Sequence, residues 1–154
     1  MMGFAALLHV ISAVIWVGGM FFAYMVLRPV AAGQLEPPAR LTLWAGVFDN
    51  FFPWVWSAIL ALLATGFWMI FAVFGGMGSV GLYVHAMLGL GLLMVLIFLH
   101  VYFAPYRRLK RAVAAQDWPS GGQQLAQIRV LVGVNTVIGL LTVAIASGGR
   151  YLIT

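Results

Sequence analysis

The chain has 154 residues, of which 64% are hydrophobic and only 7% charged, and its mean hydropathy is +1.07. So few charges could not clothe a water-soluble domain of this size in polar surface, so the composition specifies an integral membrane protein. The net charge of +5 and the pI of about 10.3 do not indicate nucleic acid, because most basic residues stand at the ends of apolar runs and not on a polar face. The absence of cysteine excludes disulfides, thiolate metal sites and C-x-x-C-H haem attachment. Any metal must be held by His, Met, carboxylate or backbone groups.

At about 20 residues per span the length accommodates four transmembrane helices in one domain, residues 1–154, with no room for a separate soluble domain. The expected class is all-α, an integral membrane four-helix bundle. Span one is expected at about 4–27, closed by Arg28-Pro29, where proline stops the helix and arginine reaches the headgroups. Its length, its lack of a basic start and that ending favour a retained span over a cleaved leader. Glu36-Pro37-Pro38-Ala39-Arg40 is the strongest turn signal, and Leu41 to Phe48 begins a helix ahead of the membrane core. Span two is expected at about 49–74, with Pro53 and the aromatics Phe51, Phe52, Trp54 and Trp56 near its start at interfacial depth. Gly75-Gly76-Met77-Gly78-Ser79 reads as a tight uncharged turn that makes spans two and three antiparallel neighbours. Span three is expected at about 81–104, ended by Pro105 and continued by a basic amphipathic surface segment from Tyr106 to Gln116. After the loop Asp117 to Gly122, span four is expected at about 130–147, ending at Gly148-Gly149-Arg150. No internal repeat stands out.

Lys and Arg in short loops set orientation. The links after spans one and three hold Arg28, Arg40, Arg107, Arg108, Lys110, Arg111 and Arg129, against Arg150 alone on the other side. Both termini are therefore expected to face away from the cytoplasm, into the periplasm of a bacterium, with the protein in its inner membrane.

An ionisable residue inside a span is a functional-site hypothesis because it costs free energy to place there. His9 lies about five residues into span one and His85 about four into span three, roughly 6–8 Å below the outer surface, so the two are expected to face each other. His100 lies about 22 Å deeper than His85 and about 60° around the helix, in an inner layer with Asp49, Asn50 and Asn135. Two histidines at matched depth in a four-helix bundle suit axial ligation of haem b. Gly89 below His85, and Ser12 and Ala13 below His9, would let a flat macrocycle approach, although small residues also let helices pack without a cofactor. Arg150 is placed to pair with a propionate or simply to balance a helix C-terminus. Copper is the rival: Met1, Met2, Met69, Met77 and Met87 lie toward the same side, and imidazole with thioether suits Cu(I). His100 reads as a further haem ligand, a proton relay or a structural partner of Asp49 or Asn135, and Asp49 as a proton-handling group or a partner of Arg28. The tryptophans Trp16, Trp44, Trp54 and Trp68 read as interface anchors and packing. The Arg107 to Arg111 run reads as a contact for anionic lipid.

Leu8-His9, Trp16-Val17-Gly18-Gly19-Met20, Leu27-Arg28-Pro29, Phe51-Phe52-Pro53-Trp54, His85 and His100-Val101-Tyr102 together resemble the CopD family of small bacterial membrane proteins over nearly the whole chain. That resemblance implies copper uptake or tolerance. The chain is similar, more distantly, to the HemJ type of membrane protoporphyrinogen oxidase, which implies haem b and porphyrinogen oxidation with His9 as the first-span histidine. It departs from that type at Met87, where a lysine stands two residues after the third-span histidine.

The leading expectation is a haem b protein carrying electrons, or an oxidoreductase, with metal-ligand candidates His9, His85 and His100, cofactor contact Arg150, and a polar site at Asp49 and Asn135. Its partners would be the bilayer and quinol or another redox partner, with self-association open. The alternative is a copper-handling protein acting through the outer His and Met groups. A third reading is an assembly subunit whose histidines are structural.

Overall fold

The structure is a computed structural model that describes residues 1–152. Four long helices account for it: α1 Met2–Gln34, α2 Pro37–Val73 and α3 Leu82–Ala114, and α4 Trp118–Leu152. Each carries an apolar window long enough to cross a bilayer, and only 11–28% of each window is buried inside the protein. The remaining apolar surface has no protein neighbour, as expected where lipid is the solvent. One end of the bundle gathers the N-terminus, the α2–α3 turn and the end of α4. The other holds the α1–α2 and α3–α4 turns with seven of the eight basic residues. These are called the terminal end and the basic end.

The helices overrun the expected spans by up to twelve residues, and neither Arg28-Pro29 nor Pro105 ends its helix. Both prolines are absorbed by widened turns. Phe22–Leu27 winds as a π-helix just before Pro29, and Tyr102–Tyr106 does so around Pro105. A proline ring collides with the carbonyl four residues back and supplies no N–H, and a π turn displaces that carbonyl and closes five residues apart instead. Beyond each proline the helix runs on as a basic extension, with Arg28 stacked 4.3 Å over Tyr24 and Arg107 4.7 Å over Phe103.

The turns follow the expected chemistry. Gly75 and Gly76 adopt φ of +81° and +109°, which side-chain-bearing residues rarely reach, and they reverse the chain between α2 and α3. Pro37 opens α2 at a position where its missing N–H has no helical partner to lose. The Asp117 carboxylate accepts the Ser120 N–H at 3.2 Å and caps α4.

Helix α1 packs along α2, and α3 along α4, while α4 also touches α1 and α2. α1 and α3 are opposite members of the bundle that meet through side chains such as Trp16 and Phe98, whose rings stand edge-on 6.3 Å apart. Glycines set the closest approaches: Gly139 of α4 lies against Val17 of α1 and Met94 of α3, and Gly133 against the Tyr24 ring. The core is aromatic at the basic half. Phe52 stacks 5.0 Å from Phe48 and meets Phe98 and Tyr106 edge-on at 5.3 and 4.7 Å. Phe52, Trp16 and Trp44 are thus core residues, whereas Trp54 is exposed as an interface anchor should be.

Candidate functional site

Helix α1 turns one stripe inward: Ala5, Ser12, Trp16 and Met20 are buried, and His9 falls on the same stripe, half-buried against α2. Its ring faces Gly66, where a Cβ would come within 3.3 Å of His9 Cε1, so the missing side chain is what admits the imidazole. His9 Nδ1 lies 2.8 Å from Thr65 Oγ1. The hydroxyl of Thr65 has a single proton, and that proton goes to the Ala61 carbonyl at 2.6 Å. Thr65 Oγ1 is therefore an acceptor toward His9, and Nδ1 carries the imidazole proton. A neutral imidazole protonated at Nδ1 presents Nε2 as its lone-pair nitrogen. Metal-binding histidines are commonly held this way, one nitrogen fixed by a hydrogen bond and the other free for the metal.

His85 is differently placed. It lies in the first turn of α3, exposed, with Nδ1 3.2 Å from the Gly81 carbonyl of its own helix. His9 turns onto α2 and His85 is exposed, so the expected face-to-face pairing of His9 with His85, and with it bis-histidine haem ligation, gains no support. The side chain of Arg150, the expected propionate partner, lies outside the described residues. His100 is exposed on α3.

The expected inner layer of His100, Asp49, Asn50 and Asn135 is also not assembled. Asp49 accepts a hydrogen bond from the Tyr106 hydroxyl and pairs with Lys110 Nζ at 2.8 Å. Arg28 instead donates to the Tyr24 carbonyl. Asn135 donates through Nδ2 to the Met94 carbonyl at 3.3 Å. Met94 and Tyr106 are twelve residues apart on α3, so Asn135 and Asp49 are about 18 Å apart in depth. The sequence estimate treated both as entering equally from one end, but the basic extensions push Asp49 outward toward the headgroups while Asn135 sits near mid-span. Asn50 donates to Gly46 of its own helix. Among the described residues, no three His, Asp or Glu side chains converge on a point that could hold a metal ion.

Two side-chain partners are not evident from the sequence: Thr65, which bonds His9, and Tyr106, which bonds Asp49. The signal for the first was present, because the Thr65-Gly66 step is a polar side chain beside a gap in an otherwise apolar run. The sequence gives no sign of the apolar groove of about 860 Å³ that all four helices line, with Asn135 among its residues.

The chain matches the CopD family, copper resistance protein D, over residues 45–148, from the first quarter of α2 to near the end of α4. His85, His100, Thr65 and Asn135 lie within the matched stretch, and His9 precedes it. No curated protein and no solved structure matches the chain. With two thirds of its length matched and four spanning helices, this chain is a member of the CopD family of copper-resistance-related membrane proteins.

Proposed function

We propose that the protein handles copper, binding Cu(I) at the terminal end of the α1/α2 seam as a step in taking copper into or through the membrane. His9 Nε2 is the imidazole ligand. The thioethers of Met69 and Met2, outward of it along α2 and α1, are taken as the soft donors. Thr65 is level with His9, and Met69 follows Thr65 by four residues on the same face of α2. Met2 precedes His9 by seven residues, two helical turns outward on α1. Imidazole and thioether in an apolar seam favour Cu(I) over hard, strongly hydrated divalent ions. The basic residues at the other end put the terminal end outside the cytoplasm in this reading.

The observation that carries the reading is the 2.8 Å contact of His9 Nδ1 with Thr65 Oγ1, which, with Thr65 donating to Ala61, leaves Nε2 as the lone-pair nitrogen. Family membership independently supports copper as the ion. The test is a Cu(I) competition titration with bicinchoninate on the purified full-length protein in detergent, with metal analysis and oxidised and reduced visible spectra of the same sample. We expect near-stoichiometric Cu(I), weakened at least about tenfold in His9→Ala. Wild-type protein that leaves all copper with the chelator would overturn the proposal. A Soret band lost in both His9→Ala and His85→Ala would replace it with the haem reading.

A further inference from the structure

A second cavity, of about 270 Å³, lies at the basic end between α1, α2 and α4, apart from the His9 site. Three arginines line it, one from each helix: Arg28, Arg40 and Arg129. No carboxylate lines it. The acidic side chains of the chain are Glu36, Asp49 and Asp117, and among the described residues the one salt bridge is that of Asp49 with Lys110. Arg28 is held by its stacking over Tyr24 and its bond to the Tyr24 carbonyl, and half-buried Arg40 reaches the Ala32 carbonyl at 3.5 Å. Neither partner neutralises a charge. Arg129 makes no hydrogen bond or ion pair with any described residue. Three like charges brought to one cavity without a counter-charge repel one another, and an anion between them relieves that repulsion.

We propose that this cavity binds the head of an anionic phospholipid. Arg28 and Arg129 are level on facing helices: Gly133 lies against the Tyr24 ring, and each arginine stands four residues, one turn, toward the basic end from that contact. A phosphodiester between them meets two guanidinium forks, each able to donate paired N–H groups to its oxygens. The rest of the wall is largely apolar, with Trp44, Phe48 and Leu125 beside the arginines, and Ala23 and Val132 carry it past them toward the bilayer centre. That suits an amphiphile whose acyl chain continues inward better than a free, fully hydrated phosphate. A zwitterionic head would bring an ammonium group among three cations with no carboxylate to receive it, so the site selects a head such as phosphatidylglycerol over phosphatidylcholine. Basic pockets between membrane helices on the cytoplasmic side bind anionic heads by the same physics. The Arg107 to Arg111 run on α3 lines no part of this cavity, so the two contributions can be separated.

The test is native mass spectrometry of the full-length protein, delipidated in a neutral detergent and titrated with dioleoyl phosphatidylglycerol or dioleoyl phosphatidylcholine. We expect the first phosphatidylglycerol to bind at least about tenfold more tightly than phosphatidylcholine. Arg129→Gln should weaken phosphatidylglycerol about tenfold, the worth of one charge-assisted hydrogen bond, and leave phosphatidylcholine unmoved. Arg40→Gln should act in the same direction by a second route. Arg129→Lys, which keeps the charge and loses the fork, should recover only part of the affinity. Arg111→Gln removes the same charge outside the cavity and should have a smaller effect than Arg129→Gln. Equal affinity for the two lipids in wild type, or a loss in Arg111→Gln as large as that in Arg129→Gln, would overturn the proposal. Displacement of the lipid by an equal concentration of inorganic phosphate or of glycerophosphoglycerol would also overturn it, by showing a site for soluble phosphate. None of these outcomes depends on whether His9 binds copper.

Discussion

Replacing Thr65 with valine isolates what holds His9. The substitution keeps the shape of the side chain and exchanges the hydroxyl for a methyl group. In the wild type Thr65 Oγ1 accepts from His9 Nδ1 at 2.8 Å and donates to the Ala61 carbonyl at 2.6 Å. Ala61 keeps its helical bond in the variant, so the loss falls on His9. Its Nδ1–H is left in a half-buried apolar seam at a cost of about 1–3 kcal/mol, and the ring is released from its held orientation or turns away. Loss of a partner that orients a ligating histidine costs about 10–100-fold in metal affinity. The Cu(I) competition titration should therefore show that drop in Thr65→Val, while Thr65→Ser, which retains an acceptor, stays within a few-fold of wild type. Should Thr65→Val bind Cu(I) like wild type while His9→Ala has lost it, the ring is not held by Thr65 and the tautomer argument fails.

Gly139→Leu should destabilise the bundle by about 1–3 kcal/mol or more, because even a Cβ there lies 3.0 Å from Val17 and 3.2 Å from Met94. Adding Val17→Ala should recover part of the loss in denaturant unfolding in detergent, and a lack of recovery would count against this contact. At Asp49 the two partners should behave unequally. Lys110 and Asp49 are 48% and 44% exposed, so Lys110→Ala should cost under about 1 kcal/mol. Asp49→Ala also strips the buried Tyr106 hydroxyl of its acceptor and should cost about 1–3 kcal/mol, a difference the same unfolding measurement reads. Gly66→Ala places a methyl 3.3 Å from His9 Cε1. It should lower Cu(I) affinity less than Thr65→Val does, and an equal or larger loss would show that steric access outweighs the hydrogen bond.

The four helices and the glycine turn were legible because the apolar runs are long and uninterrupted and the bilayer thickness translates directly into residues. Helix ends were less legible. Pro29 and Pro105 are helix breakers by local rule, yet both helices run through them, because a π turn beside each removes the collision that the rule assumes. The layering of polar residues by depth placed His9 correctly within the half of the bundle it occupies, but depth carries no information about angular position. His9 and His85 share a depth, yet His9 turns onto α2 and His85 is exposed on α3. Asp49 and Asn135 are separated in depth by the long basic extensions that a span estimate trims away.

By itself the sequence determined that the chain is a membrane protein of four helices, which end carries the basic residues, and that three histidines and a few carboxylates and amides are the polar groups to explain. Those conclusions follow from composition and from the fixed rise of a helix, which act along one dimension. The tertiary structure alone decided which histidine turns inward, that Thr65 spends its proton on Ala61 and so sets the His9 tautomer, and that Asn135 is buried with its Nδ2 on the Met94 carbonyl. Each depends on how glycines such as Gly66 and Gly139 let helices far apart in the chain approach, and on the angle at which they meet.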